Sequence, residues 1–262
     1  MLRSLRPVGL DNFLEWRRSF ESLGYGQLDA ARAATSRPLK AAFMQARITH
    51  LPKGLRRSLR CVVDVGANEG QWSNALLQLL TPQRVEVFEP NPKAYGQLVK
   101  RLAPYPTARV HQLALGSEPG ELTLNVTAAS NFASMLSPLE SVSQYYETNA
   151  MNVAEQVPVR VETLDRVTEN LGEIDLIKLD VQGFERQVLA GATSALRRAR
   201  ALLIEANFVP HYATEDTFST MTELLKQSSF ELWDLSPPFR APNGRALWCD
   251  AVFIQRSLID QS

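Results

Sequence analysis

Cys61-Val62-Val63-Asp64-Val65-Gly66-Ala67-Asn68-Glu69-Gly70, followed by Trp72, Ala75, Leu76 and Leu79 at helical spacing, decides the fold of this 262-residue chain. The apolar run reads as a buried parallel strand and residues 71–80 as a helix with one apolar face. Glycines between the two let the chain turn sharply and bring its backbone close to a ligand, while the helix N-terminus presents unpaired N–H groups. Residues 84–89, Arg-Val-Glu-Val-Phe-Glu, supply the neighbouring strand. Its terminal carboxylate, Glu89, is placed to accept hydrogen bonds from two ribose hydroxyls.

A G-x-N-x-G turn alone is compatible with an ordinary strand-to-helix connection; the acidic strand end one βα unit later is what points to a nucleoside. A dinucleotide fingerprint needs glycine at its first, third and sixth positions, and here these are Gly66, Asn68 and Gln71. The departure argues against close approach of a pyrophosphate and for S-adenosylmethionine, which joins the same adenosine to a charged amino acid.

The chain resembles the FkbM-like family of class I S-adenosylmethionine-dependent methyltransferases. The likeness is carried by Asp64-Val65-Gly66-Ala67-Asn68-Glu69-Gly70, Phe88-Glu89-Pro90-Asn91-Pro92, Ala114-Leu115-Gly116, Thr163-Leu164-Asp165 and Ile174-Asp175-Leu176-Ile177-Lys178-Leu179-Asp180-Val181-Gln182-Gly183-Phe184-Glu185, and it continues through Val188-Leu189-Ala190-Gly191-Ala192. It spans residues 59–262. In one respect the chain departs from the family, which usually has Glu where this chain has Gln182.

Residues 1–60 hold 12 Lys and Arg against 4 Asp and Glu, although the whole chain has 28 of each sign. The excess of positive charge and the clusters Phe13, Leu14, Trp16, Phe20 and Leu39, Ala42, Phe43, Ala46 predict a basic extension of two or three amphipathic helices over residues 1–58. Such an extension covers one face of the core, or acts as a lid or docking surface for an anionic substrate or an acidic membrane. No interleaving of basic and aromatic residues suggests a nucleic-acid surface. No stretch approaches the roughly 18 apolar residues of a membrane span, and the start lacks the apolar core of a secretory signal, so a cytoplasmic protein is expected. Cys61 and Cys249 are expected apart and reduced.

The remainder, residues 59–262, alternates as an α/β chain should. Helices are expected at 94–102, 164–171, 185–198 and 218–227, and strands at 110–115, 121–126, 157–161, 174–180 and 201–205. Residues 128–155 read as a long loop or short helical insertion, a kind of segment that is usually functional inside a compact domain. Residues 230–235 and 247–254, joined through Pro237, Pro238, Pro242 and Gly244, read as a C-terminal antiparallel hairpin. The expected fold is a Rossmann-like, doubly wound, mostly parallel sheet ending in that hairpin, with the helical extension in front.

Ligands of such sheets lie beyond the carboxyl ends of the strands, where the strand order reverses. That rule gathers Asp64, Glu89, Ala114, Asp180 and Glu205 on one edge. The resemblance implies that the loop residues Gly66, Ala67, Asn68 and Gly70 hold the methionyl part, with Asp64 at their root, Glu89 the ribose, and the backbone of Ala114 and Leu115 the adenine. Asp180 would face both sulfonium and acceptor. Asp64 has a second reading, as a cap for backbone N–H groups of the loop. A hydroxyl acceptor needs a base, and Asp180, Glu205 and His211 are the candidates. Asp180 and Glu205 on adjacent strands also form the pair through which magnesium would act, although no residue is assigned as a metal ligand. His50 and His111 are expected away from this edge.

The expected activity is O-methylation of a hydroxyl on a sugar or secondary metabolite. Two other readings stand beside it: a methyltransferase-like interaction module, opposed by the intact loop and Glu89, and an NAD-dependent oxidoreductase, opposed by Asn68, Gln71 and the hairpin.

Overall fold

A computed structural model describes residues 47–128, 132–145 and 151–259. The clusters expected around Phe13 to Phe20 and Leu39 to Ala46 lie outside the described residues. After a short helix, α1 (Lys53–Ser58), the chain enters β1 (Cys61–Val65), α2 (Gln71–Leu79), β2 (Arg84–Phe88), α3 (Pro92–Leu102), β3 (Ala108–His111) and β4 (Ala114–Leu115). β5 (Gly120–Thr127) and β6 (Val153–Glu162) flank the insertion, whose described part holds a 3-10 turn at Glu140–Gln144. Next come α4 (Leu164–Val167), β7 (Leu176–Leu179), α5 (Glu185–Ala190), α6 (Thr193–Arg198), β8 (Ala201–Asn207) and α7 (Phe218–Gln227). The chain closes with β9 (Phe230–Leu235), β10 (Phe239–Arg240), β11 (Ala246–Gln255) and α8 (Arg256–Ile259).

The main sheet runs β10-β11-β8-β7-β1-β2-β3, with β9 also paired to β11. β3, β2, β1, β7 and β8 are parallel, and β11 runs against β8 and β9. This is the expected α/β sheet with its antiparallel C-terminal hairpin. The order reverses between β1 and β7, so the crevice for a ligand opens beyond the ends of those two strands.

Alternating side chains feed two apolar layers. Val63, Val65, Ile177, Leu202, Ile204 and Phe253 join Phe184 and Val188 on one face. Val62, Val85, Leu203, Val252 and Ile254 join Trp72, Leu76 and Leu98 on the other, together with Ile48, Leu51 and Leu55. The described end of the expected extension is thus part of the core. Among the described residues no helix is long and apolar enough to cross a membrane. Both cysteines are free thiols.

Two elements differ from expectation. The strand expected at 110–115 is divided: β3 stays in the main sheet, with His111 paired to Phe88, whereas Ala114 and Leu115 pair with Val161 and Glu162 in a second sheet of order β4-β6-β5. An apolar run looks the same whichever partner it finds, so the sequence pattern could not reveal the change of sheet. The helix expected at 185–198 is two helices, broken at Gly191 and Ala192. There the backbone packs so tightly that a Cβ on Gly191 would lie 2.1 Å from the Gly116 carbonyl oxygen.

This contact yields a test. Gly191→Ala forces the β4 end and the α5–α6 corner apart, and the expected loss is about 1 to 3 kcal/mol, the usual cost of overpacking. Urea unfolding measures it, and an unchanged midpoint and slope would contradict the packing described.

Candidate active site

At the end of β1 the chain turns through Gly66, whose φ is 77°. The N–H groups of Gly66 and Ala67 both reach the Phe88 carbonyl at 3.0 Å, and a Cβ on Gly66 would lie 1.9 Å from the carbonyl oxygen of Asp180. The loop therefore threads between the ends of β2 and β7, and only glycine fits. Gly70 begins α2 with no side-chain cap and no acidic residue in the first turn, which leaves that turn's N–H groups to be met by something else.

Glu89 anchors the loop from the end of β2. Its Oε2 accepts from the Asn68 N–H at 2.7 Å and its Oε1 from the Asn91 N–H at 2.8 Å. Burial pushes its carboxyl up to about 7 in spite of these two bonds. A carboxylate has about four lone-pair directions, so two donors leave room for a vicinal diol. Asn68 stands in the left-handed region at φ 50°, and its buried Oδ1 makes no hydrogen bond to any described residue. The side-chain Nε1 of Trp72, in the first turn of α2, is buried and unbonded in the same way.

Beyond β1 and β7 lies a chain of buried charges. Lys178, 2% exposed, stands beside Asp64 in the strand register and places Nζ 3.1 Å from Asp64 Oδ1 and 3.4 Å from Asp180 Oδ2. Ser73 on α2 donates to the other Asp64 oxygen at 2.5 Å. Arg47 Nη2 reaches Asp180 Oδ2 at 3.3 Å and also pairs with Asp250 of β11. Burial acts to lower the Arg47 and Lys178 values, but the surrounding carboxylates outweigh it and both are raised. For Asp180 burial acts upward, yet Lys178 and Arg47 prevail and hold its carboxyl below the ordinary value. Glu205 is its opposite: burial first, then the Asp180 charge, push its carboxyl well above the carboxylate range.

Gln182 joins the two. Its Nε2 donates to Asp180 Oδ1 and to Glu205 Oε1, each at 3.0 Å, and its Oε1 accepts from the Tyr212 hydroxyl at 3.0 Å. A magnesium ion held between Asp180 and Glu205, the alternative for which the sequence assigned no ligand, does not fit this arrangement. Amide hydrogens occupy the space between the two carboxylates, and among the described residues no group of three His, Cys, Asp or Glu is placed to hold a metal. Each carboxylate instead has a nitrogen donor as its neighbour.

Of the residues singled out by sequence, Gly66, Ala67, Asn68, Gly70 and Glu89 form one loop, and Asp64, Asp180 and Glu205 converge at the ends of adjacent strands. Asp64 is fully buried and faces Lys178 and Ser73, so it neither caps the loop nor opens toward a ligand. Ala114 and Leu115, at 3% and 2% exposure, are engaged with β6 in the second sheet. His211 gives its backbone N–H to Glu215 at 2.5 Å, and burial pushes its imidazole down to about 4, which keeps it neutral and weakly basic at neutral pH. His111, contrary to expectation, ends β3 at this edge, where its carbonyl accepts the Glu89 N–H. Its imidazole turns to Glu86 at 2.6 Å and stacks on Phe88. His50 sits 2.9 Å from Asp234.

Sequence reading missed Arg47, Lys178, Tyr212 and Asp250. Lys178 and Asp250 carried a signal, since a charge inside an apolar strand must find a partner. Arg47 carried none, being one basic residue among many.

Over residues 64–232 the sequence matches the family described as the Methyltransferase FkbM domain. It is 28% identical over 182 residues to the 2-O-methyltransferase NoeI of Sinorhizobium fredii, an alignment covering 65% of this chain and 72% of that protein. It is 27% identical over 200 residues to the AMB antimetabolite synthetase AmbE of Pseudomonas aeruginosa, covering 65% of this chain and 9% of that much longer protein. Among solved structures, magnesium protoporphyrin IX methyltransferase (ChlM) from Synechocystis PCC 6803 with bound SAM superposes with a TM-score of 0.46 at 12% identity, covering 97% of this chain and all of that one.

Arg47→Met removes the cation shared by Asp180 and Asp250. The expected cost is about 3 to 5 kcal/mol at neutral pH, the range for breaking a buried pair from one side. Because the guanidinium lowers the Asp180 value, its contribution is present above the ordinary aspartate range near pH 4 and is lost as the pH falls through the lowered value. The deficit relative to wild type should therefore hold between about pH 7 and pH 4 and shrink only below about pH 4 when urea unfolding is followed down to about pH 2. A deficit independent of pH would exclude the charge pairing as its source.

Proposed function

Because the chain belongs to the FkbM methyltransferase family, we propose that it transfers the methyl group of S-adenosylmethionine to a hydroxyl oxygen of a saccharide or secondary-metabolite acceptor. The observation that carries this reading is Glu89, a buried carboxylate with unused lone pairs beside a tight loop and an uncapped helix. The name of the relative NoeI, a 2-O-methyltransferase, supports oxygen as the acceptor atom.

The residues present fit this cofactor. Glu89 suits the ribose diol, the N–H groups of the first turn of α2 suit the methionyl carboxylate, and the buried Oδ1 of Asn68 is a further acceptor. Asp64, Asp180 and Asp250 set three carboxylates against the two cations Lys178 and Arg47, leaving a surplus of negative charge at the edge. That surplus favours a ligand carrying net positive charge. S-adenosylmethionine supplies a methyl group on a positively charged sulfur, which the acceptor oxygen displaces in line.

The chain then has two tasks, alignment and proton removal. Asp180, held ionised by two cations, is a weak base but a fixed negative charge suited to facing the sulfonium. Glu205 has the affinity for a proton that Asp180 lacks, so in its ionised form, which becomes more populated as pH rises, it is the group that takes the proton from the acceptor hydroxyl. Residues 1–58 are assigned as a basic extension that lends Arg47 to the site, and residues 59–262 as the methyltransferase domain.

Two measurements test this assignment. Glu89→Ala should weaken S-adenosylmethionine binding by about 2 to 3 kcal/mol in calorimetry, as expected for lost hydrogen bonds to a charged group. Wild-type protein that binds NAD and ignores S-adenosylhomocysteine would defeat the cofactor assignment. Glu205→Gln should lower labelled methyl transfer to a saccharide panel by about 10² to 10⁴ fold with a smaller change in cofactor affinity. EDTA should leave wild-type transfer intact; transfer by Glu205→Gln at the wild-type rate would exclude Glu205 as the base.

A further inference from the structure

We propose that Gln182 is a positioning residue that holds Asp180 and Glu205 at a working separation without a metal, and that the insertion fixes the aim of its amide. The bonding stands on its own; only the purpose of the two carboxylates rests on the proposed function above.

Leu179 and Ile204 are paired in the parallel register, so Asp180 and Glu205 emerge side by side at the ends of β7 and β8. Two carboxyl groups so placed repel when both are ionised. The Gln182 side chain carries two N–H donors, and each finds one of these groups at 3.0 Å. The amide orientation follows, since nitrogen must face the two acceptors and oxygen the Tyr212 hydroxyl.

The backbone of Gln182 is equally constrained. Its φ of 55° lies in the left-handed region, unfavourable for a residue with a side chain. Such a conformation persists where its surroundings over-determine it. Here Ser134 Oγ donates to the Gln182 carbonyl at 2.6 Å, and the Tyr212 hydroxyl lies within 3.0 Å of both the Gln182 amide oxygen and the Phe132 carbonyl. The hydroxyl has one hydrogen, shared between these acceptors. Ser134 and Phe132 belong to the insertion, which is further pinned by the Pro138 to Tyr212 bridge. A segment far from the sheet in sequence thus sets the direction of the amide between the two carboxylates.

A carboxylate in place of that amide would invert the chemistry. Three acidic groups would converge with no amide donor between them, and hard oxygen ligands in that number attract a divalent cation. Gln182→Glu should therefore acquire a response to metal. With millimolar MnCl2 its melting temperature is expected to rise by about 5 °C or more, while wild type moves by less than about 1 °C. Adding Glu205→Gln to the variant should abolish the gain. A wild type stabilised as strongly as the variant, or a folded variant indifferent to manganese, would overturn the proposal.

The wild-type protein offers a second measurement should the variant not fold. Glu205 is faced by Asp180, Arg47, Asp250 and Glu185. In 15N-labelled protein the side-chain amide protons of Gln182 should shift together as Glu205 titrates, at a pH well above the ordinary carboxylate range, and Glu205→Gln should remove that titration. Amide signals that ignore pH between about 5 and 9 overturn the proposal. Calorimetry with S-adenosylmethionine and S-adenosylhomocysteine separates the two ideas: protein that gives the manganese and amide results but binds neither compound retains the role of Gln182 and loses the assigned reaction.

Discussion

Lys178 carries its ammonium inside β7 at 2% exposure, and the geometry of the edge depends on neutralising it there. Removing an ion from water costs several kcal/mol after relaxation, so a buried cation obliges its neighbours to be anions. Asp64 is the neighbour in the strand register, and Asp180 follows two residues on, just past the end of β7. Asp180 then accepts a second cation, Arg47, which in turn commits Asp250 of β11. One requirement in one strand thereby ties together β1, β7, β11 and the segment before α1. Such a chain is weak evidence of net stability, because hydrophobic replacements often do as well; it specifies which ends meet.

The same chain divides two chemically alike side chains. Asp180 and Glu205 emerge from adjacent strands, yet the cations stand beside Asp180 and pull it down while burial and the Asp180 charge drive Glu205 up. Environments that push a pair apart assign one member a permanent charge and the other a proton, a division of labour known from many acid–base sites. Glu185, Glu89 and Glu215, raised by burial to about 8, 7 and 7, extend this pattern around the edge. Backbone N–H groups, rather than cations, supply their nearest support: Val181 for Glu185, Asn68 and Asn91 for Glu89, His211 and Tyr212 for Glu215.

The edge is completed from outside the parallel sheet. Arg47 precedes and Asp250 follows the stretch of 64–232 that matches the family, and Ser134 belongs to the insertion between β5 and β6. Trp72 brings α2 against Lys178, whose Nζ lies 5.7 Å from its ring centroid. The parallel strands position backbone and carboxylates, while the added segments decide how each carboxylate is charged and which way it points.

By itself the sequence determined the strands and helices whose apolar period is unbroken, since local repeat and local backbone are linked by geometry alone. α7 is found at Phe218–Gln227 as its spacing predicts, and the hairpin of β9 with β11 follows from its proline-rich turn and two apolar runs. Glu89 and the Gly66 loop were legible for the same reason, lying one βα unit apart. Only tertiary structure decided where an apolar run would find its partner, which divided residues 110–115 between two sheets, and where two glycine backbones would touch, which broke the helix at Gly191. It alone decided the charges of the site. Arg47 reaches Asp180 across 133 residues and Asp250 across 203, and Asp64 meets Lys178 across 114. Periodicity records which face a residue takes, but a pairing energy depends on a distance in space that no local pattern encodes.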